Sequence, residues 1–244
     1  MIEIRTLTER EDLKSAVRLQ RQIWGFEDVD LIPLRLFVVA SKIGGQVYGA
    51  FDAGQMIGFC MAIPGLKPGG KTYLHSHMLG VLPEYRNTGV GRTLKLTQRD
   101  DALSRGIDLM EWTFDPLEVK NAFFNMERLG AIVRRYVPNQ YGTSSSPLHG
   151  GLPTDRCIAE WWISSPRVKS VLAGKRFEGN PVEARIAIPS DIATIRANES
   201  ARAREIQQKA CEQFRAAFDR ELAVIGFEKT EQFGTYLIGK WESV

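Results

Sequence analysis

Apolar residues recur along this chain with two periods, and the switches between them outline its elements. Residues 2–7 alternate apolar and polar, which predicts a strand. Thr8-Glu9-Arg10-Glu11 fits a capping box, and Leu13, Val17 and Leu19 carry a helix to about Trp24. Pro33 near its start and Gly44-Gly45 at its end bracket a second helix over 31–43. Residues 46–51 and 56–63 predict two strands joined by the turn Asp52-Ala53-Gly54-Gln55. After a second turn, Lys67-Pro68-Gly69-Gly70, residues 73–82 complete a three-stranded meander. A helix over 90–104 ends at Arg105-Gly106, a strand covers 109–114, a helix covers 121–129 up to Gly130, and a strand covers 131–137. Residues 138–156 are rich in Gly, Ser and Pro, include His149, and read as a lid or binding loop. A strand follows over 157–163.

Beyond Pro166, alternation of Val182, Ala184, Ile186 and Ile188 predicts a strand. Ile206, Ala210, Phe214, Phe218 and Leu222, closed by Ile225, form the apolar stripe of an amphipathic helix. A last strand covers 235–238. The expected organisation is a main domain of residues 1–165 and a C-terminal α/β extension, 166–244, too short for much core of its own and packed on the main domain.

Composition narrows the function classes. In 244 residues the net charge is +3, too small to suggest a nucleic-acid binder, and Arg134-Arg135 reads as a solvated patch. Cys60, Cys157 and Cys211 lie far apart with no metal-ligand spacing, so neither a disulfide framework nor a metal is expected. No apolar run is long enough to span a bilayer and the N-terminus lacks a signal-peptide core, so no membrane partner is expected and the cytoplasm is the expected location.

The chemistry concentrates in Met78–Arg92, where a strand meets Pro83 and then the loop Arg86-Asn87-Thr88-Gly89-Val90-Gly91. A strand running through a Gly-containing loop into a helix start gathers unpaired backbone N–H groups at the positive end of the helix dipole, a cradle for phosphate oxygens. A tight strand-to-helix turn is the plainer alternative. The spacing fits neither a dinucleotide-binding Gly-x-Gly-x-x-Gly nor a P-loop, which needs Gly-Lys-Ser/Thr.

Val81-Leu82-Pro83-Glu84-Tyr85 followed by that loop, with Asn121-Ala122 and Glu127-Arg128-Leu129-Gly130 later on, resembles the GCN5-related N-acetyltransferase (GNAT) superfamily over about two thirds of the chain. Thr113-Phe114-Asp115-Pro116-Leu117-Glu118 and the long tail resemble a larger branch of it. The resemblance implies an α/β (α+β) fold: a mixed, mostly antiparallel twisted sheet with flanking helices and a splayed central strand pair. It implies acetyl-CoA or another acyl-CoA as co-substrate. Arg86, Asn87, Thr88, Gly89, Val90, Gly91 and Arg92 would surround the diphosphate, and Gly80 is a further coenzyme-binding candidate. Backbone groups of Leu79 and Val81 would hold pantetheine, and Asn121 and Phe124 would reach the coenzyme from the next helix.

An attacking amine must lose a proton, and the resemblance puts a base on the strand before the Gly loop. His75 and His77 stand there, two of only three histidines, and histidine titrates near neutrality. Glu111 on the neighbouring strand is a further candidate for handling the amine. One departure stands out: Met126 occupies the position of the family's frequent proton-donating Tyr, and a thioether cannot donate. Tyr136 is one candidate acid; Asn125, Tyr141 and water are others. The expected function is N-acyl transfer, acetyl or longer such as succinyl, to a primary amine of a small molecule such as an amino acid. A non-catalytic acyl-CoA-binding or sensor module is the alternative. A homodimer is the assembly considered.

Overall fold

The structure is a computed structural model that describes residues 2–142, 150–175, 177 and 180–241. Its described residues divide into two compact units, 2–111 and 112 onward. The division falls inside the fifth strand rather than after residue 165, so the C-terminal segment shares a unit with 112–142 and 150–165. The loop read as a lid, with His149, lies in large part outside the described residues.

In the first unit, β1 (Glu3–Thr6), β2 (Gln46–Asp52), β3 (Gln55–Leu66) and β4 (Thr72–Val81) form an antiparallel meander in that spatial order. β5 (Leu109–Phe114) joins β4 in parallel through Leu74↔Met110 and His75↔Glu111. Helices α1 (Arg10–Trp24), α2 (Leu34–Lys42) and α3 (Val90–Ser104) cover the sheet. Leu7, Leu13, Phe37, Ile57, Phe59, Met61 and Leu94 fill the space between. The capping box expected at Thr8 does not form: Glu9 takes the capping position and its side chain makes no capping bond. The second helix starts at Leu34, three residues later than the 31–43 pattern, because Pro33 holds an extended ψ of 153° at its entrance and a 3₁₀ turn, Asp28–Asp30, precedes it.

In the second unit, β6 (Ile132–Val137) pairs antiparallel with β7 (Arg156–Trp162) and, at Val133↔Val224, with β9 (Leu222–Lys229). β10 (Phe233–Lys240) then pairs antiparallel with β9 and β8 (Ala184–Pro189). The helix expected over 121–129 is composite. α4 (Val119–Phe123) passes into a π-helical turn, Phe124–Arg128, closed by the Leu129 N–H on the Phe124 carbonyl.

Three elements lie outside the sequence reading: α5 (Pro166–Leu172), α6 (Ile192–Asn198) and β9. The apolar stripe ending at Leu222 and Ile225 does not belong wholly to one helix. α7 (Ser200–Phe218) stops at Phe218, and Glu221, at φ 59°, turns the chain back so that both residues lie in β9. A period of four residues persisted by coincidence across this reversal.

Phe214 of α7 anchors the second core. Its ring stacks on Tyr136 at 5.5 Å and meets Tyr236 edge-on at 5.0 Å. The Tyr236 hydroxyl donates to the Pro116 carbonyl at 2.7 Å. Truncating Phe214 to Ala should cost about 3–5 kcal/mol, as large aromatic cavities do; chemical denaturation monitored by Trp fluorescence measures it.

Candidate acyl-CoA site

β4 is irregular where the chemistry was expected. Between Met61↔Met78 and Ile63↔His75, β3 advances two residues while β4 advances three. The extra residue is a β-bulge at Ser76–His77, which kinks and twists the strand. Plain alternation would put His75 and His77 on one face. Burial still alternates along β4 through the bulge, and the two rings lie 5.8 Å apart. Burial pushes the His77 imidazole below its ordinary pKa.

The ladder from β4 to β5 covers only Leu74 and His75. From Ser76 to Val81 that edge of β4 has no ladder partner among the described residues. Strand parity gives the direction of its groups. The Leu82 N–H bonds the Ile57 carbonyl at 2.9 Å, so the Gly80 backbone also faces β3. The backbone groups of Leu79 and Val81 therefore face the open edge.

Past Val81 the chain makes a 3₁₀ turn, Pro83–Tyr85, pinned by the Tyr85 hydroxyl on Asp52 at 3.0 Å. Asn87 (φ 65°) and Gly89 (φ 95°) then reverse it in left-handed conformations, and Gly89 caps α3. The first helical bond runs from Thr93 N–H to Gly89 carbonyl, so the N–H groups of Val90 and Gly91 have no helical acceptor. Arg86, Asn87, Thr88 and Gly89 are exposed. Nothing lies within 4 Å of the point where a Gly89 Cβ would sit. Gly91 is more telling. Its φ is not positive, and an added Cβ would only touch Val81 Cγ2 at 3.8 Å and Leu79 Cδ2 at 4.0 Å. The fold does not require glycine there, and its absence of a side chain leaves the helix start open to a close approach. An anionic diphosphate suits this open, N–H-rich, Arg-flanked turn.

On the first unit's side, Glu111 is 3% exposed, and Lys67 Nζ donates to both its carboxylate oxygens at 2.7 Å. Sequence reasoning took Lys67 only as part of a turn; no local signal ties it to a carboxylate 44 residues away. Beneath β4, Lys95 of α3 is 2% exposed and donates to Ser76 Oγ at 2.7 Å, while Ser76 donates to Gln98 Oε1 at 2.9 Å. This buried amine fastens the helix to the bulge, and it too was missed, because lysine in a helix reads as surface.

The other candidates belong to the second unit. Asn121 is exposed on α4 and Phe124 half-buried at the start of the π turn. Met126 is fully buried. Neighbouring Asn125, 1% exposed, accepts from Trp112 Nε1 at 3.2 Å and leaves its own Nδ2 without an acceptor. Tyr136 is committed to Asp155, whose carboxylate accepts a hydrogen bond from its hydroxyl at 2.5 Å; burial, then that carboxylate, drives its pKa upward. A phenol so held is a poor proton donor. Among the described residues no group of three His, Cys, Asp or Glu side chains could hold a metal ion, and no helix is long and apolar enough to cross a membrane.

The family model "Acetyltransferase (GNAT) family" matches residues 11–130, from α1 through the cradle to the π turn. Residues 11–130 belong to the GNAT acetyltransferase family. Solved structures share the fold. The chain matches the ribosomal-protein alanine N-acetyltransferase of Escherichia coli with a TM-score of 0.53 at 20% identity, over 68% of this chain and 96% of that one. It matches aminoglycoside 6'-acetyltransferase type Ii with a TM-score of 0.52 at 20% identity, over 67% and 98%. It matches a Salmonella typhimurium protein solved with its cofactor acetyl-CoA with a TM-score of 0.54 at 16% identity, over 68% and 95%. Among curated protein sequences none matches. The GNAT assignment carries acyl transfer from an acyl-CoA as the general chemistry.

Burial lowers the Lys95 ammonium from 10.5 to about 7. The unfolded chain takes up this proton first, so its contribution to stability is present above pH 10.5 and lost as the pH falls toward about 7. Lys95→Met should therefore gain on the wild type as pH falls: the difference in unfolding free energy should be larger at pH 7 than at pH 10 in urea titrations.

Proposed function

We propose that this protein moves an acetyl or longer acyl group, such as succinyl, from acyl-CoA to a primary amine of a small molecule such as an amino acid, by direct attack in a ternary complex. The observation that carries this reading is the cradle at Gly89–Gly91 placed at the end of the open β4 edge. Bound acyl-CoA supplies an activated thioester carbonyl. Val90 and Gly91 N–H groups receive its diphosphate, with Arg86 and Arg92 adding charge. The outward backbone groups of Leu79 and Val81 pair with the extended pantetheine, and a Val81-region N–H stabilises charge developing on the carbonyl oxygen. Proximity on this rail supplies much of the rate.

His75, at the last rung of the β4–β5 ladder, takes the proton the amine loses as its C–N bond forms and the C–S bond breaks. The departing thiolate keeps its charge or is protonated by water, since Met126 cannot donate and Tyr136 is held by Asp155. Two fold relatives act, by their names, on an alanine amine and on an aminoglycoside. Both are amine acceptors, which supports the bond type. Met126 also favours a second reading, an acyl-CoA-binding module without turnover. Thiol release from acetyl- and succinyl-CoA over a panel of primary amines decides: coenzyme binding with no release over any amine rejects the enzyme.

Gly91→Ala should leave unfolding free energy within about 1 kcal/mol of wild type, since a Cβ fits and alanine suits a helix. The same change should weaken acetyl-CoA binding in calorimetry at least about ten-fold. Unchanged affinity would remove the cradle from the site. His75→Ala should lower kcat about 10²-fold or more while sparing coenzyme affinity. A pH–rate profile unchanged in shape would take His75 out of the mechanism.

A further inference from the structure

The first unit contains a second constellation, on the face of the sheet carrying His75. Tyr73 and His75 are two residues apart on β4, ahead of the bulge, and so share a face. Glu111 is the parallel rung partner of His75, which puts its side chain on that face too. Lys67, from the β3–β4 turn, reaches over the Tyr73 ring at 4.6 Å from its centroid and ends on both oxygens of Glu111. One ammonium thus meets a buried carboxylate and an aromatic face, the pair of groups that recognises organic cations. The Tyr73 ring owes its position to Gly65 opposite it: a Cβ there would come within 2.4–2.5 Å of ring atoms and 2.8 Å of the hydroxyl.

The occupant is arranged to leave. Lys67 keeps a quarter of its side chain in solvent, whereas Glu111 keeps only 4%. The turn holding Lys67 passes through Gly69 and Gly70, both at φ 83°, positions where backbone freedom is greatest. A separate ion pair, Lys71 to Asp108 at 3.1 Å, ties the same turn down when Lys67 swings out. A buried carboxylate is costly without a cation, so departure of Lys67 favours entry of another cation beside Glu111.

We infer that Glu111 and Tyr73 form the recognition site for the ammonium of the acceptor, and that Lys67 is a built-in stand-in which the acceptor displaces. The acceptor role rests on the acyltransferase reading above; the ammonium site stands on the geometry alone. A primary alkylammonium seated in place of Lys67 lies beside His75, the proposed proton acceptor. Secondary features of the acceptor are read elsewhere, and Lys67 sets a threshold: only an amine that competes with a tethered lysine gains entry. Competition of this kind lowers apparent affinity by the fraction of time the site is already filled.

The test uses n-butylammonium chloride as probe, with n-butanol and sodium chloride as controls. In calorimetry Lys67→Ala should bind butylammonium at least about ten-fold more tightly than wild type, and Lys67→Ala combined with Glu111→Gln should lose that gain. Equal affinity of wild type and Lys67→Ala, or a response matched by sodium chloride, overturns the proposal. Should Lys67→Ala fail to fold, wild type labelled with ¹³C-lysine answers instead. The Lys67 side-chain resonances should move toward free-lysine positions as butylammonium is added, and no movement overturns the proposal. Acetyl-CoA affinity is measured in parallel: its absence would refute the coenzyme reading while leaving the ammonium result to stand or fall separately.

Discussion

A β-strand cannot leave its backbone unpaired without consequence, and the first unit is organised around a strand that does so on one edge. β4 pairs fully with β3 but only through Leu74 and His75 with β5. Backbone donors and acceptors left over in a sheet interior demand partners from somewhere. The bulge at Ser76–His77 and the Leu82–Ile57 bond fix which of them face outward, and those are the groups of Leu79 and Val81. The cradle at Gly89–Gly91 then continues the same line. An extended ligand with amide groups along its length and an anion at its end answers both demands at once. Lys95, bonded to Ser76 from below, ties the irregular strand to the helix whose start forms the cradle.

Much of this was legible in the sequence because local chemistry decides it. The cradle was readable since left-handed turns and helix starts have residue preferences of their own, and Asn87 and Gly89 obey them. The meander was readable from alternation and from its two turns. What escaped depends on distance along the chain. Lys67 and Glu111 are 44 residues apart, and nothing near either announces the other. The bulge escaped because Ser76 and His77 do not interrupt the apolar pattern; only the register of β3 exposes the extra residue. The tail was half-read for a related reason. Leu222 and Ile225 fit a helical stripe by spacing, and the left-handed Glu221 that separates them from α7 is not a residue that advertises a reversal. The link between β6 and the C-terminal segment likewise rests on a long-range pairing, Val133↔Val224, which no composition shift marks.

The second unit holds its polar groups differently. Arg196 of α6 donates to Asp115 and to Glu118, both at 2.6 Å, and Asp115 also accepts the Leu117 N–H at 2.8 Å. Arg167 donates to the Gly130 carbonyl at 3.1 Å, at the turn that ends the π segment. Such buried pairs add little net stability against apolar replacements, and their loss one partner at a time is costly. They add polar anchors to the short helices α5 and α6, which also bury Val168, Ile192 and Ile195. Tyr136 falls under the same economy: its bond to Asp155 orders the core around Phe214 and withdraws the phenol from proton chemistry.

The cysteines have a practical consequence at the bench. Cys60 is buried with its pKa pushed up to about 12, burial raises the Cys157 thiol well above its usual range, and half-buried Cys211 is also raised. Since the thiolate is the reactive form, the native polypeptide should stay nearly silent toward disulfide dyes at neutral pH. Chromogenic counting of freed coenzyme sulfhydryl can therefore run on the unmodified protein, its baseline nearly flat and every increment attributable to turnover.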